Sequence, residues 1–168
     1  FFSLLKNERK IERITNDFGV ILGNPNGSIH IVKVCNPYCY YCSLVHPILS
    51  QLVKNNDEIK LQIIFFVNPD SDEYEHTPIE TFLSSYYEDK DMESILSDWY
   101  NDENKNLEEF IRLHPIIVDN SSKNKSNATS MFDFCMKNKI TYTPTVFING
   151  YELPEIYNFS DLLYFFIN

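Results

Sequence analysis

Two cysteines, Cys39 and Cys42, follow an apolar strand-like run and precede a stretch with helical spacing. A Cys-x-x-Cys pair in that position would open a helix, where the N-terminal backbone N–H groups stabilise a thiolate. The first cysteine would then be the exposed thiol, and the second, one turn into the helix, would be covered. This pattern indicates thiol–disulfide exchange in which Cys39 attacks and Cys42 resolves the mixed disulfide.

A second motif, Thr143-Pro144-Thr145, stands much later in the chain, directly before another apolar strand-like run. A proline in a tight turn is a candidate for a cis peptide bond. Such a turn leaves the backbone of the preceding residue free to pair with an extended peptide, as in strand addition to a sheet. We therefore expect Thr143 to contact a substrate.

Three tyrosines surround the cysteine pair, namely Tyr38, Tyr40 and Tyr41. Aromatic side chains exposed around a reactive thiol can hold an unfolded peptide or a docking partner. They could equally shield the resolving thiol.

The apolar periodicity predicts the elements that position these motifs. Strands are expected at 20–22, 30–34, 59–67, 145–149 and 151–153, and the run 59–67 has the pattern of a strand buried on both faces. Helices are expected from Cys39 to about residue 54, through much of 71–138 with a polar loop at 120–127, and after the N-cap Ser160. The sequence thus predicts an N-terminal linker helix within 1–18 and one domain over 19–168, with a helical insertion at about 70–138.

Composition sets limits on the class of protein. The chain has 168 residues, of which 43% are hydrophobic and 15% aromatic, which suits one globular domain. A formal net charge of −10 argues against nucleic acid as a partner, because phosphate contacts need clustered Lys and Arg. The chain begins at Phe1, and we expect it to be a processed or excised piece whose export signal or membrane anchor would lie upstream.

Segments 19–25, 36–42 and 143–150 resemble the thioredoxin-like family of the DsbA type. Segment 142–163 is more closely similar to bacterial thioredoxin-like domains fused to integral-membrane vitamin K epoxide reductase homologues. The resemblance implies an α/β thioredoxin fold with a helical insertion between the second central strand and the cis-proline strand. It makes Cys39 the nucleophile, Cys42 the resolving thiol and Pro144 the cis-proline.

The same resemblance implies a thiol–disulfide oxidoreductase that acts on polypeptide cysteines. It implies an extracytoplasmic, periplasmic setting in which the domain is tethered to the membrane through segments outside this chain. The expected redox partner is a quinone-linked membrane protein of the vitamin K epoxide reductase type. We expect no cofactor and no metal.

Lys33 departs from the family pattern. Six residues before the nucleophilic cysteine, this superfamily often has a buried carboxylate that assists proton transfer, whereas here the residue is a lysine. A cation near the pair would favour thiolate, stabilise the reduced form and shift the pair towards oxidant behaviour. The alternative is that Lys33 extends into solvent from a strand end, because lysine is rarely fully buried.

Cys35 and Cys135 allow two interpretations. Both could be buried free thiols that pack as small hydrophobic side chains, or they could form a second disulfide or a shuttle to the active pair.

Two metal-binding alternatives also exist. The spacing of Cys35, Cys39 and Cys42 resembles the iron–sulfur motif of radical S-adenosylmethionine enzymes, but those enzymes need a larger barrel. All four cysteines could close a zinc site, but a second paired knuckle is missing.

Two classes of function therefore stay open at the level of sequence. One is the oxidoreductase, and the other is a thioredoxin-fold peptide-binding module whose groove at Thr143 and Pro144 holds a partner. An intact cysteine pair favours the enzyme, because a binding module does not need both thiols.

His46 is expected at the helix surface or core edge, and Trp99 and Tyr100 are expected to pack within the helical insertion.

Overall fold

The computed structural model describes residues 1–12 and 14–167 and contains a five-stranded sheet. The strands are β1 (Val20–Gly23), β2 (Ile29–Cys35), β3 (Ile59–Phe65), β4 (Thr145–Ile148) and β5 (Tyr151–Glu152). Their order in the sheet is β1-β3-β2-β4-β5. β2 and β3 are parallel, and every other neighbouring pair is antiparallel.

Seven helices accompany this sheet in the described part of the chain. They are α1 (Phe2–Leu5), α2 (Tyr40–Asn55), α3 (Glu73–Tyr87), α4 (Met92–Asn101), α5 (Leu107–Leu113), α6 (Ser121–Lys137) and α7 (Asp161–Phe166). α2 connects the two parallel strands, while α3 to α6 lie between β3 and β4. The predicted α/β class is confirmed, and so is the helical insertion before β4, the strand that follows Pro144. None of the described helices is long and apolar enough to cross a membrane.

The central strand β2 carries the residues that lead into the cysteine pair. From Ile31 to Cys35 every residue is buried, and β3 and β4 flank the strand on its two edges. Successive side chains of a strand point to opposite faces. Lys33 and Cys35 therefore share one face, and both contact Tyr100 of α4 there.

α2 begins directly after Cys39 and ends at Asn55, as the sequence predicts. Its buried stripe includes Cys42, Val45, Leu49 and Leu52, spaced at three or four residues. This stripe packs the helix against β1, β3, α4 and α7. Burial of one helix face thus fixes the position of the thiols at its first turn.

The structure corrects two predictions of secondary structure. The linker helix expected within 1–18 covers only Phe2–Leu5. Further on, the Ile11 N–H donates to the Gly150 oxygen at 2.8 Å and the Glu152 N–H donates to the Arg9 oxygen at 2.9 Å. The segment leaves the helix because the edge of the sheet offers its backbone these partners. The domain boundary at residue 18 stays a prediction.

The polar loop expected at 120–127 is also wrong, because α6 already begins at Ser121. Two asparagines of its first turns are buried and hydrogen-bonded. The Asn124 side chain donates to Ser84 Oγ at 2.7 Å, and that of Asn127 donates to Tyr87 Oη at 2.8 Å. These tertiary contacts outweigh the weak helix propensity of asparagine.

Candidate active site

Cys39 is the N-cap residue of α2, at the point where the chain leaves β2. Its backbone is extended (φ −74°, ψ 120°), and its Sγ accepts a hydrogen bond from the Cys42 N–H at 3.4 Å. Burial raises the pKa of the Cys39 thiol, but hydrogen bonds with the Thr143 side chain, the Cys42 thiol and the backbone N–H groups of Cys42 and Tyr41 outweigh it. The pKa of Cys39 is therefore below its ordinary value, which favours the reactive thiolate.

Cys42 lies one turn further into α2 and is fully buried. Burial, the neighbouring Cys35 thiol and the hydrogen bond with Cys39 raise the pKa of Cys42 far above its ordinary value, although the Lys33 cation opposes them. Cys42 thus stays protonated under conditions in which Cys39 ionises. Cys39 is thus the more exposed thiol and Cys42 the covered one, as the sequence predicts. Their catalytic roles stay predictions.

The peptide bond between Thr143 and Pro144 is cis, and it lies beside the cysteine pair. Cys39 Sγ is 3.5 Å from the Thr143 carbonyl oxygen, to which the thiol donates. Thr145, the residue after Pro144, begins β4 and pairs with Val34 of β2. Because β2 leads into Cys39, this antiparallel pairing brings together two motifs that are far apart in the chain.

A small concave surface adjoins Pro144 and has a volume of about 170 Å³. Its lining is mostly apolar and includes Tyr142, Leu153, Tyr157 and Phe159. Tyr142 is also hydrogen-bonded through its hydroxyl to the Glu152 carboxylate. That hydrogen bond, followed by burial, raises the pKa of Tyr142 to about 12, so this side chain is neutral. Glu152 and Glu155 also line this surface, which therefore combines apolar rings with two acidic side chains.

The three predicted contact tyrosines occupy two different environments. Tyr40 is 68% exposed and Tyr41 is 66% exposed, and their ring centroids are 5.5 Å apart. Tyr38 is half-buried and packs edge-on against Trp99, with ring centroids 5.3 Å apart. Tyr40 and Tyr41 are thus accessible to a partner, whereas Tyr38 anchors the loop before Cys39.

Lys33 is fully buried. Its Nζ donates to the Cys42 carbonyl oxygen at 3.3 Å and lies 4.5 Å from the centroid of the Tyr100 ring. The alternative that Lys33 extends into solvent is therefore wrong. Strand alternation turns its side chain towards α2 and α4, and the interaction with the aromatic ring partly replaces lost hydration.

Two residues of α4 reach the site through hydrogen bonds that the sequence analysis missed. Trp99 Nε1 donates to the Pro37 carbonyl oxygen at 2.8 Å, and Tyr100 Oη donates to Cys35 Sγ at 3.3 Å. Both side chains are buried, and a buried Trp or Tyr usually needs a partner for its polar group. This need for a hydrogen-bond partner was the signal that Trp99 and Tyr100 offered in the sequence. The sequence does not say which group would be the partner.

His46 lies in the core rather than at the expected surface or core edge. Its ring stacks on Tyr100 with centroids 5.1 Å apart, and Nε2 is 3.3 Å from Ser97 Oγ. Burial, followed by the charges of Lys33 and Lys54, lowers the pKa of His46 to about 3. His46 is therefore neutral at physiological pH and is covered by α4.

Cys35 and Cys135 are fully buried free thiols. Burial raises the pKa of Cys35, and burial together with the nearby Cys35 raises the pKa of Cys135 to about 12. Their pairing with each other stays a prediction. In the part of the chain that the structure describes, no group of three or more His, Cys, Asp or Glu side chains is arranged to hold a metal ion.

The sequence model of the Thioredoxin family matches residues 15–165, which is most of the chain. The chain belongs to the thioredoxin family. This membership confirms the predicted thioredoxin-like resemblance and agrees with the sheet order and the inserted helices. A search of curated protein sequences finds no match.

Solved structures with the same fold include three bacterial proteins. The catalytic domain of ScsC from Proteus mirabilis has a TM-score of 0.66 and 18% identity, over 86% of this chain and 85% of that one. The thiol–disulfide exchange protein alpha-DsbA2 from Wolbachia pipientis has a TM-score of 0.68 and 16% identity, over 86% and 83%. A periplasmic thioredoxin-like protein from Salmonella enterica serovar Typhimurium has a TM-score of 0.71 and 14% identity, over 90% and 94%. At these identities the likeness shows the fold alone.

The largest of the described cavities, about 1180 Å³, is an open cleft away from the thiols of this thioredoxin-family domain. It is lined by His30 and Lys60, which lie near the starts of β2 and β3. Cys39 follows the opposite end of β2. The candidate site is therefore identified by the chemistry of the cysteine pair and not by the volume of a cavity.

Proposed function

We propose that the chain is a thiol–disulfide oxidoreductase that exchanges disulfides with polypeptide cysteines through Cys39 and Cys42. The observation that carries the proposal is the position of Cys39 Sγ. It caps the N-terminus of α2, 3.4 Å from the Cys42 N–H and 3.5 Å from the Thr143 oxygen. Hydrogen bonds to Cys39 Sγ at the helix N-terminus lower the pKa of this thiol, while the second thiol lies beneath it, buried.

The exchange proceeds through a mixed disulfide. In the reducing direction the Cys39 thiolate attacks a substrate disulfide, forms a bond to one substrate sulfur and releases the other as a thiolate. Cys42 then attacks Cys39, which regenerates a free substrate thiolate and closes the Cys39–Cys42 disulfide. The same steps in reverse give the substrate a disulfide.

A polypeptide substrate is supported by the surface around Cys39. The backbone of Thr143, next to Pro144, would pair with an extended segment, as in strand addition. The exposed rings of Tyr40 and Tyr41 would cover apolar side chains of that segment. In this assignment Thr143, Tyr40 and Tyr41 contact the substrate, and Tyr38 supports the loop through Trp99.

We also propose an extracytoplasmic setting and a quinone-linked membrane partner of the vitamin K epoxide reductase type. The support is the sequence resemblance of segment 142–163, together with the periplasmic description of the structurally similar Salmonella protein. The test adds the reduced chain to membranes that contain such a reductase and a quinone. We expect the Cys39–Cys42 disulfide to re-form, and no re-formation above the rate in quinone-free membranes would refute the partnership.

The oxidoreductase proposal is tested by equilibration with glutathione, followed by thiol trapping. We expect one reversible dithiol with a reduction potential between about −270 and −120 mV, the range of known thioredoxin-like proteins. Cys42→Ser should accumulate a mixed disulfide with a peptide that is supplied in its disulfide form, whereas the matched variant Cys39→Ser should form none. A pair that does not respond to glutathione would contradict the proposal and favour a peptide-binding module.

A further inference from the structure

The charge of Lys33 lacks an anionic partner. None of the ion pairs found among the described residues includes it. Its Nζ lies instead against the Cys42 carbonyl oxygen and the Tyr100 ring, and the residue has no exposed surface. A buried charge without a counter-ion is costly, because the interior of a protein solvates ions poorly.

The groups around Lys33 that can become anions are thiols and a phenol. They are Cys35 from β2, Cys39 and Cys42 from α2, Tyr100 from α4 and, beyond Cys35, Cys135 from α6. His46 of α2 is the other titratable group here, and it is neutral. Burial holds the pKa values of Cys35 and Tyr100 above their ordinary values, so both stay protonated.

Cys39 and Cys42 are the members of this group that change charge during the exchange reaction, and Cys42 is the one that Lys33 contacts. Lys33 is hydrogen-bonded to the carbonyl oxygen of this same residue, and its charge lowers the pKa of Cys42 against the effect of burial. A carboxylate at position 33 would act in the opposite sense, because like charges disfavour ionisation. The lysine therefore places a positive charge where the resolving thiolate forms.

We propose that Lys33 is the counter-ion of the Cys42 thiolate during exchange, acting as a positioning residue for the function proposed above. When a substrate thiolate attacks Cys39 Sγ of the disulfide, a bond forms between the substrate sulfur and Cys39. The Cys39–Cys42 bond breaks, and Cys42 leaves with the electron pair as a thiolate next to Lys33. In the reverse step the Cys42 thiolate attacks Cys39 and the substrate thiolate leaves.

This arrangement favours one step of the exchange. In the disulfide form Lys33 is a buried cation without a counter-ion, whereas the Cys42 thiolate compensates it when the Cys39–Cys42 bond breaks, before Cys42 takes up a proton. Lys33 thus lowers the barrier to the step in which Cys42 leaves, which speeds the attack of a substrate thiolate on the disulfide. Lys33 would make the domain a faster disulfide donor than an otherwise identical domain with an apolar residue at this position.

The test compares Lys33→Met, which removes the charge, with Lys33→Gln, which keeps a hydrogen-bond donor. Lys54→Met is the matched control, because Lys54 lies on α2 but is exposed and paired with Glu93. We expect the second-order rate constant for reduction of the Cys39–Cys42 disulfide by glutathione to fall at least tenfold in both Lys33 variants, because the leaving Cys42 thiolate loses its counter-ion. The control should stay within twofold of the wild type.

A second readout separates this role from a merely structural one. In a Cys42→Ser background, the rate at which iodoacetamide modifies Cys39 should change less than twofold on Lys33→Met, because Lys33 acts on Cys42. Lys33 variants with the rate constant of the control would overturn the proposal, as would a wild-type rate constant in Lys33→Gln alone. Absence of a reversible pair in the wild type would instead refute the oxidoreductase function itself.

Discussion

Two thiols three residues apart can differ widely in chemistry when one caps a helix and the other lies under it. Cys39 receives hydrogen bonds at the N-terminus of α2, whereas Cys42 has lost its hydration. Lys33 of β2 and Thr143, which precedes β4, also shape this difference. The dipeptide between the cysteines is therefore only one determinant of their reactivity.

The buried imidazole of His46 makes the stability of the protein depend on pH. Its pKa is about 3 in the folded protein and near 6.5 when unfolded, so its stabilising contribution is complete above pH 6.5 and is lost as pH falls towards 3. Each pH unit in that window is worth about 1.4 kcal/mol. From pH 7 to pH 5 we expect this residue alone to lower the free energy of unfolding by about 2 kcal/mol.

His46→Phe keeps the ring that stacks on Tyr100 and removes the titrating group. Urea unfolding of both proteins at pH 7 and pH 5 gives the comparison. The variant should lose about 2 kcal/mol less than the wild type over this interval. Equal losses in the two proteins would show that His46 does not titrate as its burial requires.

At the scale of elements, α4 is tied to the active-site loop by one residue. Trp99 is fully buried, donates to the Pro37 oxygen at 2.8 Å and contacts Phe110, with ring centroids 5.0 Å apart. Trp99→Phe leaves the buried Pro37 carbonyl without this donor and should cost about 2 to 3 kcal/mol. Urea unfolding measures the loss, and the matched control is Tyr164→Phe, an exposed aromatic on α7 that should change stability by less than about 0.5 kcal/mol. A Trp99 variant as stable as the control would contradict this role of α4.

The start of α6 is tied to Gly19, directly before β1, by Asn127. Its Oδ1 accepts from the Gly19 N–H at 2.6 Å, and its Nδ2 donates to the Gly19 oxygen at 3.3 Å and to the Tyr87 hydroxyl. Asn127→Ala removes the partners of two buried backbone groups, and we expect it to cost about 2 to 3 kcal/mol in urea unfolding. Ser126→Ala, an exposed neighbour on the same helix, should stay within about 0.5 kcal/mol. If the two variants unfold alike, the asparagine does not hold α6 against the strand.

These elements also show what the sequence could predict. The apolar runs of β2 and β3, the buried stripe of α2 and the Asn149–Gly150 turn have local periodicity or turn chemistry, so their structure follows from neighbouring residues. The first turns of α6 are polar and have the local pattern of a loop. Their helical state depends on buried partners at Gly19, directly before β1, and in α3. The segment after Leu5 leaves the predicted helix for a similar reason, because its partner strand is distant in sequence.

The residues of the candidate site also differ in how far the sequence predicts them. Cys39, Cys42 and Pro144 were found because each lies in a short motif with its own chemistry. The contacts of Trp99 with Pro37 and of Tyr100 with Cys35 join residues separated by 62 and 65 positions, which no local pattern encodes. The burial of Lys33 has the same origin, because α4 is one of the elements that cover it.

At the scale of the whole molecule, the fold assigns different environments to four thiols of one chemical type. Cys39 is partly exposed with a lowered pKa, whereas Cys35, Cys42 and Cys135 are fully buried with raised pKa values. Alkylation follows the thiolate fraction and access to solvent. In the reduced native protein, iodoacetamide should therefore modify one cysteine rapidly, and mass spectrometry should locate it at Cys39. Rapid modification of two or more cysteines would show that the core opens to reagent.

In the oxidised protein we expect Cys35 and Cys135 to stay free thiols rather than to form the second disulfide that the sequence leaves open. Their high pKa values leave little thiolate to attack a disulfide, and neither sulfur is exposed to an oxidant in solvent. After air oxidation, unfolding in the presence of alkylating reagent should thus label two cysteines, Cys35 and Cys135, while Cys39 and Cys42 stay joined. Peptide mapping identifies the labelled pair. An oxidised protein with no alkylatable thiol would instead establish a second disulfide and make the buried pair part of the redox chemistry.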